Sequence, residues 1–153
     1  MKNERNFKNG FTLIEILVVI FIIALLLAVT QVSLSSARAK ARDITRLSNV
    51  RQAQNALELY FYNKNIFPIA DNIALGSDAR QVLCDSSSGF QPDADGCDKV
   101  FLNQLSTAPA RTADDSYIYK SSDGQTYSLT FVLEKTADGL GAGRHTATPA
   151  GIQ

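Results

Sequence analysis

A single carboxylate, Glu15, lies at the front of a long run of hydrocarbon side chains. Every residue from Ile16 to Val29 is apolar. Holding an ionised carboxylate at membrane depth costs at least about 2–3 kcal/mol, so such a group is a functional-site candidate that needs a cationic partner. The preceding segment, Met1 to Asn9, carries three basic side chains and one acidic side chain. Glu15 is therefore the first residue to which we assign a chemical role.

The composition excludes most other chemistry. The chain has 153 residues, one histidine and no tryptophan, and the sequence offers no set of nucleophile, base and metal ligands. We therefore expect no enzyme, no cofactor and no metal centre. Of the 15 basic and 15 acidic side chains, the first ten residues hold three and one, which leaves 12 and 14 in the remainder. This balance does not indicate nucleic acid as a partner.

The two cysteines, Cys84 and Cys97, are predicted to form one disulfide. Because basic residues precede the apolar run, the positive-inside rule leaves the N-terminus in the cytoplasm and exports the rest of the chain. Disulfides persist on the exported side, and closing this short loop contributes roughly 3 kcal/mol; two free thiols are the alternative. The loop lacks the ligand spacing of a calcium-binding EF-hand. A solvated surface is therefore favoured over a calcium site for its acidic residues, Asp85, Asp93, Asp95 and Asp98.

One long helix is predicted to position Glu15. No proline or glycine occurs from Phe11 to Tyr62, and a helix of about 52 residues would be about 78 Å long. Asn63–Asn65 and Pro68 end it. In its second half, apolar residues recur every three or four positions, which is typical of one buried helical face: Ile44, Leu47, Val50, Ala53, Leu57, Tyr60 and Phe61.

The rest of the chain is predicted to form a small antiparallel sheet. Two alternating segments, Ser116–Ser121 and Thr126–Leu133, flank an Asp-Gly turn and predict a hairpin. The region before them is expected to be rich in loops, with a short strand at Val82–Leu83 and a short helix at Lys99–Leu105. Another strand is expected at Arg144–Thr148. Four further acidic residues are predicted to lie in turns: Asp114, Asp115, Asp123 and Asp138.

The residues around Glu15 resemble the type IV prepilin signal. Gly10-Phe11-Thr12-Leu13-Ile14-Glu15 follows a basic leader and precedes a long apolar helix, in the order typical of that signal. The resemblance implies that a membrane-embedded prepilin peptidase cuts between Gly10 and Phe11 and N-methylates Phe11. It also implies that Glu15 sets subunit registry during assembly, with the free amine of Phe11, in the same or a neighbouring subunit, as its cation.

The resemblance, which covers Lys2 to Pro68, also implies the domain organisation. The leader would be 1–10, the hydrophobic transmembrane and filament-core helix 11–35, and the globular head 36–153, including the amphipathic half of the helix. The expected fold class is α+β, with the apolar half protruding and the amphipathic half packed on the sheet. Many pilins carry a glycine and then a proline where this chain has Ala24 and Val32, so we expect a more continuous helix here.

These features lead to the hypothesis of a structural subunit of a type IV pilus-like filament. The subunit would first span the cytoplasmic membrane once, with its N-terminus in the cytoplasm, and then enter a cell-surface pilus, for example in cell adhesion. Its implied partners are copies of itself, other pilins, prepilin peptidase, the pilus assembly platform and membrane lipid. A type II secretion pseudopilin is the alternative. The scarcity of carboxylates in the tail from Gly139 to Gln153 favours a pilus.

Three other interpretations of the N-terminal segment stay open. An ordinary secretory signal has an apolar core of this length, and Ala28-Val29-Thr30 would be its cleavage site, but Glu15 lies inside the core. A simple membrane anchor tolerates Phe11 and Glu15 without needing them. A buried helix of a cytosolic protein does not explain the basic leader.

Five basic residues farther along the helix are expected to line the rim of a filament core or to pair with acidic heads: Arg38, Lys40, Arg42, Arg46 and Arg51.

Overall fold

A computed structural model describes residues 11–109 and 115–153, without the side chains of residues 29–33. One helix, α1, spans Leu13–Lys64 and has 52 residues, which confirms the predicted long helix with a shift of two positions. The helix ends where Asn65 adopts a left-handed conformation, with φ 56°. The Asn65 amide still donates to the Phe61 carbonyl at 2.7 Å, as at many helix C-termini.

The chain divides into two compact units, Met1–Arg38 and Ala39–Gln153. Helix α1 contributes to both. The second unit contains every strand that the structure describes, so the layout is the α+β arrangement of a long N-terminal helix followed by a small antiparallel β-region that is typical of pilins.

The larger sheet of the second unit has five antiparallel strands in the order β1-β5-β6-β7-β8. Its strands are β1 (Ala70–Leu75), β5 (Tyr117–Ser121), β6 (Ser128–Leu133), β7 (Gly143–Thr148) and β8 (Gly151–Ile152). The predicted hairpin is confirmed as β5 and β6, with Tyr119 opposite Leu129. The strand expected at Arg144–Thr148 is confirmed as β7, whereas β1 and β8 were not predicted.

A second sheet has three short strands in the order β3-β2-β4, which are β2 (Val82–Cys84), β3 (Phe90–Gln91) and β4 (Val100–Leu102). The short strand expected at Val82–Leu83 is confirmed. The helix expected at Lys99–Leu105 is wrong, because this segment pairs with β2, with Leu102 opposite Leu83. Backbone pairing with a distant strand here overrides the local helical tendency of the segment.

The core of the second unit lies between the amphipathic half of α1 and the larger sheet. Leu57 of the helix and Tyr119, Leu129 and Phe131 of the sheet are completely buried. The Tyr119 hydroxyl donates to the Pro68 carbonyl at 2.8 Å, which satisfies its one polar atom in an apolar environment. Burial raises the pKa of Tyr117, the neighbouring core tyrosine, to about 12.

The hairpin turn also fixes the chain where it leaves α1. The Asp123 carboxylate accepts hydrogen bonds from the amides of Gln125 and Thr126, which confirms its predicted role in the turn. Gly124 has a φ of 68°, and a side chain there would overlap Ile66. The Gly124 carbonyl accepts the Phe67 amide at 2.8 Å. Glycine at this position therefore allows the helix exit to pack directly on the turn.

Candidate functional site

The helix begins inside the predicted signal, where Thr12 caps it. The Thr12 carbonyl accepts the amides of Glu15 and Ile16 at 3.2 and 3.4 Å, and its hydroxyl accepts the Glu15 amide at 3.4 Å. Thr12 and Glu15 have the spacing of a capping box, and a carboxylate is favourable in the first helical turn. Helical structure therefore starts at Leu13, two residues after the predicted new N-terminus.

Of the three predicted site residues around this cap, the structure describes two. Phe11 is 77% exposed and Glu15 is also exposed, so neither has a buried position within its own chain. Gly10 lies outside the described residues. Cleavage after Gly10, methylation of Phe11 and registry through Glu15 therefore stay predictions.

The apolar half of α1 is exposed along its described length. Every large hydrophobic side chain from Leu13 to Leu27 is between 47% and 84% exposed. Monomeric soluble proteins rarely leave so large a contiguous apolar surface uncovered, and such surfaces mark interaction sites.

In the part of the chain that the structure describes, no helix combines the length and the apolar character needed to cross a membrane.

A buried ion cluster fastens α1 to the sheet in the second unit. Asp43 and Arg46 are both completely buried, and Arg46 Nη1 donates to Asp43 Oδ1 at 2.8 Å. The same carboxylate accepts the backbone amides of Glu134 and Lys135 at 2.9 and 2.7 Å. The Asp43 side chain of α1 thus holds the residues that follow β6 by accepting hydrogen bonds from two backbone amides.

The Arg46 guanidinium extends the cluster to two more segments. It donates to Glu134 at 3.0 Å, to Asp115 at 3.2 Å and to the Pro109 carbonyl at 2.5 Å. Arg42 forms a two-bond contact with Glu134, at 2.7 and 2.6 Å. Mainly through these Arg42 hydrogen bonds, the pKa of Glu134 falls to about 2. Each buried charge therefore has opposite charges beside it, as its burial requires.

The cluster changes how several charged residues are interpreted. Arg42 and Arg46 form ion pairs with acidic residues of the second unit, and so does the exposed Arg51, with Asp138. Asp115 does more than the turn role predicted from sequence, because it is only 7% exposed and pairs with Arg46. Asp114 lies outside the described residues.

The structure contains the disulfide predicted between Cys84 and Cys97, whose Cα atoms are 5.9 Å apart. Gln91 Nε2 donates to both sulfur atoms, at 2.8 and 3.3 Å. The Asp85 carboxylate accepts the Lys99 amide at 3.0 Å, and this hydrogen bond lowers the pKa of Asp85. The bridge and these contacts tie the loop to the smaller sheet.

Two acidic residues of this loop accept hydrogen bonds from backbone amides. Besides Asp85, the Asp93 carboxylate accepts the amide of Asp95 at 3.0 Å. Across residues 11–109 and 115–153, no three His, Cys, Asp or Glu side chains converge as metal ligands would.

Comparison with known proteins adds one match at the N-terminus. The family described as the prokaryotic N-terminal methylation motif matches residues 5–30, a range that contains Gly10, Phe11 and Glu15. No curated protein and no solved structure matches the chain. The match coincides with the capped start of α1 and with its exposed apolar half. The chain therefore carries the prepilin signal of the type IV pilin and pseudopilin family.

Proposed function

We propose that this chain is a structural subunit of a type IV pilus-like filament. Prepilin peptidase would cut between Gly10 and Phe11 and methylate Phe11, and the new N-terminal helix would polymerise with its copies. The observation that carries this proposal is the match to the methylation motif at residues 5–30, in register with a capped helix whose apolar side chains are exposed. The segments would be a leader at 1–10, a membrane and filament-core helix at 11–35 and a head at 36–153.

Packing of the apolar helices would hold the filament together. When a helix moves from the bilayer into the filament core, it exchanges lipid tails that are as apolar as leucine for protein side chains, so van der Waals packing and a few polar contacts, rather than the hydrophobic effect, would favour this exchange. Glu15 would supply the polar contact by pairing with the Phe11 amine of a neighbouring subunit. Removing one member of such a buried pair typically costs about 3–5 kcal/mol, which is enough to select one stagger between subunits.

The location of the chain follows from the same proposal. Before assembly the subunit would lie in the cytoplasmic membrane with its leader in the cytoplasm, since basic residues stay on that side. The assembly platform would then draw it from the lipid into a surface filament. The oxidising side of the membrane, where the head would lie, also suits the disulfide.

Electron microscopy of sheared surface filaments, with mass spectrometry of their subunits, tests this function. We expect the chain in the filaments of the wild type. We expect no filaments that contain the chain from a Gly10→Val variant, because a branched side chain would obstruct close approach of the peptidase to the backbone. Asn3→Val, which changes the leader far from the cut, is the matched control and should leave filaments intact.

Filaments that lack the chain, or a Gly10→Val variant that assembles as the wild type does, would contradict the proposal. Loss of protein secretion without loss of any surface filament, after deletion of the chain, would assign it instead to a type II secretion pseudopilus.

A further inference from the structure

A groove on the second unit lies between α1 and the turn that follows β6. Its volume is about 570 Å³, which is within the usual range of about 300–1,000 Å³ for binding pockets. Ile44, Leu47 and Ala137 provide apolar surface in this helix groove, and Lys40 and Arg51 bring positive charge to it. Ile44 is 57% exposed. The helix groove therefore combines an uncovered aliphatic side chain with cations.

The two cations of the helix groove differ in their partners. Arg51 pairs with Asp138, which also lines the groove. Lys40 is exposed, and no ion pair among the described residues includes it. The groove thus keeps one positive charge that forms no ion pair with an acidic group in residues 11–109 and 115–153.

A surface of opposite charge is present elsewhere on the same head. The acidic loop, residues 92–98, is anchored at Cys97 by the disulfide to Cys84 and exposes Asp93, Asp95 and Asp98. In the described part of the chain, none of these three carboxylates belongs to an ion pair. Ala94 separates Asp93 from Asp95, and Pro92 precedes them. The acidic loop is therefore compact, negatively charged and held in place at its base.

We propose that the acidic loop of one copy docks in the helix groove of a second copy, with Asp95 beside Lys40 and Ala94 against Ile44. No residue of the loop lines the groove, so the two surfaces are different patches of one molecule. A contact between different patches is head-to-tail and continues from copy to copy unless it closes into a ring. The proposal rests on the filament function and adds a second contact between subunits, one made by heads rather than by apolar helices.

Charge reversal in the full-length protein tests this contact. Lys40→Glu places like charges together, as does Asp95→Lys, and each should lower the yield of sheared filament about tenfold, which corresponds to about 1.4 kcal/mol per contact. The double variant Lys40→Glu/Asp95→Lys restores opposite charges and should recover most of the yield. Arg144→Glu and Asp78→Lys change exposed charges outside the groove and the loop, and they should have little effect.

A zero-length carbodiimide crosslink supplies a second readout in wild-type filaments. We expect mass spectrometry to find Lys40 of one copy joined to Asp95 or a neighbouring carboxylate of another. The docking contact would be overturned if both single variants formed normal filaments. It would also be overturned if the double variant failed to recover the yield and no crosslink was found. Either result would leave the filament function in place. Absence of the chain from all wild-type filaments would overturn both. A crosslink from Lys40 to an unrelated protein would also overturn the docking contact, since the groove would then have a different occupant.

Discussion

Replacement of Arg46 by methionine is the most informative test of the head. Methionine keeps much of the length of the side chain but removes the charge that Asp43, Asp115 and Glu134 share. Breaking a buried ion pair by removing one partner typically costs about 3–5 kcal/mol. Asp43 would keep its two backbone amides, and Glu134 would keep Arg42, so we expect a loss near the lower end, about 3 kcal/mol.

Urea unfolding of the mature protein in detergent, followed by tyrosine fluorescence, measures this loss. The buried Tyr117 and Tyr119 report on the core around the cluster. With a slope of about 1–3 kcal/mol per molar urea, a loss of 3 kcal/mol lowers the midpoint by about 1–3 M. Arg144→Met, at an exposed position, is the control and should stay within about 0.5 kcal/mol of the wild type. A loss below about 1 kcal/mol for Arg46→Met would refute the view that the cluster stabilises the head.

Three further outcomes are expected. Glu15→Gln should leave the head folded but sharply lower filament yield, because each added subunit would bury an ammonium without its carboxylate, at about 3–5 kcal/mol; wild-type yield would remove Glu15 from registry. Because Arg42 holds the pKa of Glu134 near 2 rather than 4.5, the stability from this pair is complete above pH 4.5 and is lost as pH falls toward 2. The urea midpoint should therefore fall more steeply through that window in the wild type than in Glu134→Gln, and parallel curves would contradict the assignment. Exported protein should show Cys84 and Cys97 linked in a non-reducing peptide map, and serine at both positions should cost roughly 3 kcal/mol; two free thiols would contradict the bond.

Local sequence was sufficient to predict the elements whose residue pattern runs without interruption along the chain. Residues 13–64 contain no proline or glycine, so nothing interrupts the helix before Asn65. The Asp123-Gly124 turn between two alternating segments was sufficient for the hairpin, because the turn residues and the strand pattern indicate the same structure.

The smaller sheet and the ion cluster depend on contacts that a local pattern does not contain. Strands β2, β3 and β4 have only two or three residues each, so β4 could not be distinguished from a helical turn without knowing its partner. Asp43 and the amide of Glu134 are 91 positions apart. Asp43 and Arg46 are three positions apart, a spacing at which helical side chains can pair, but this ion pair was not predicted, and no local pattern shows that the sheet would bury it.

The residues of the prepilin signal were the part of the candidate site most accessible from sequence. Their basic leader, Gly10, Glu15 and apolar run occur in a fixed order, and the family match at residues 5–30 covers all but the first four residues of the leader. The helix groove was not predicted, because its two sides come from α1 and from the turn near Asp138, which become neighbours only in the folded head.

The N-terminus of the chain, isolated from its native membrane or from sheared filaments, tests the central claim most directly. Peptide mass spectrometry should find a first residue of N-methylated Phe11, with residues 1–10 absent. A protein that still begins at Met1, or that begins after Thr30, would contradict processing by prepilin peptidase and with it the proposed filament subunit.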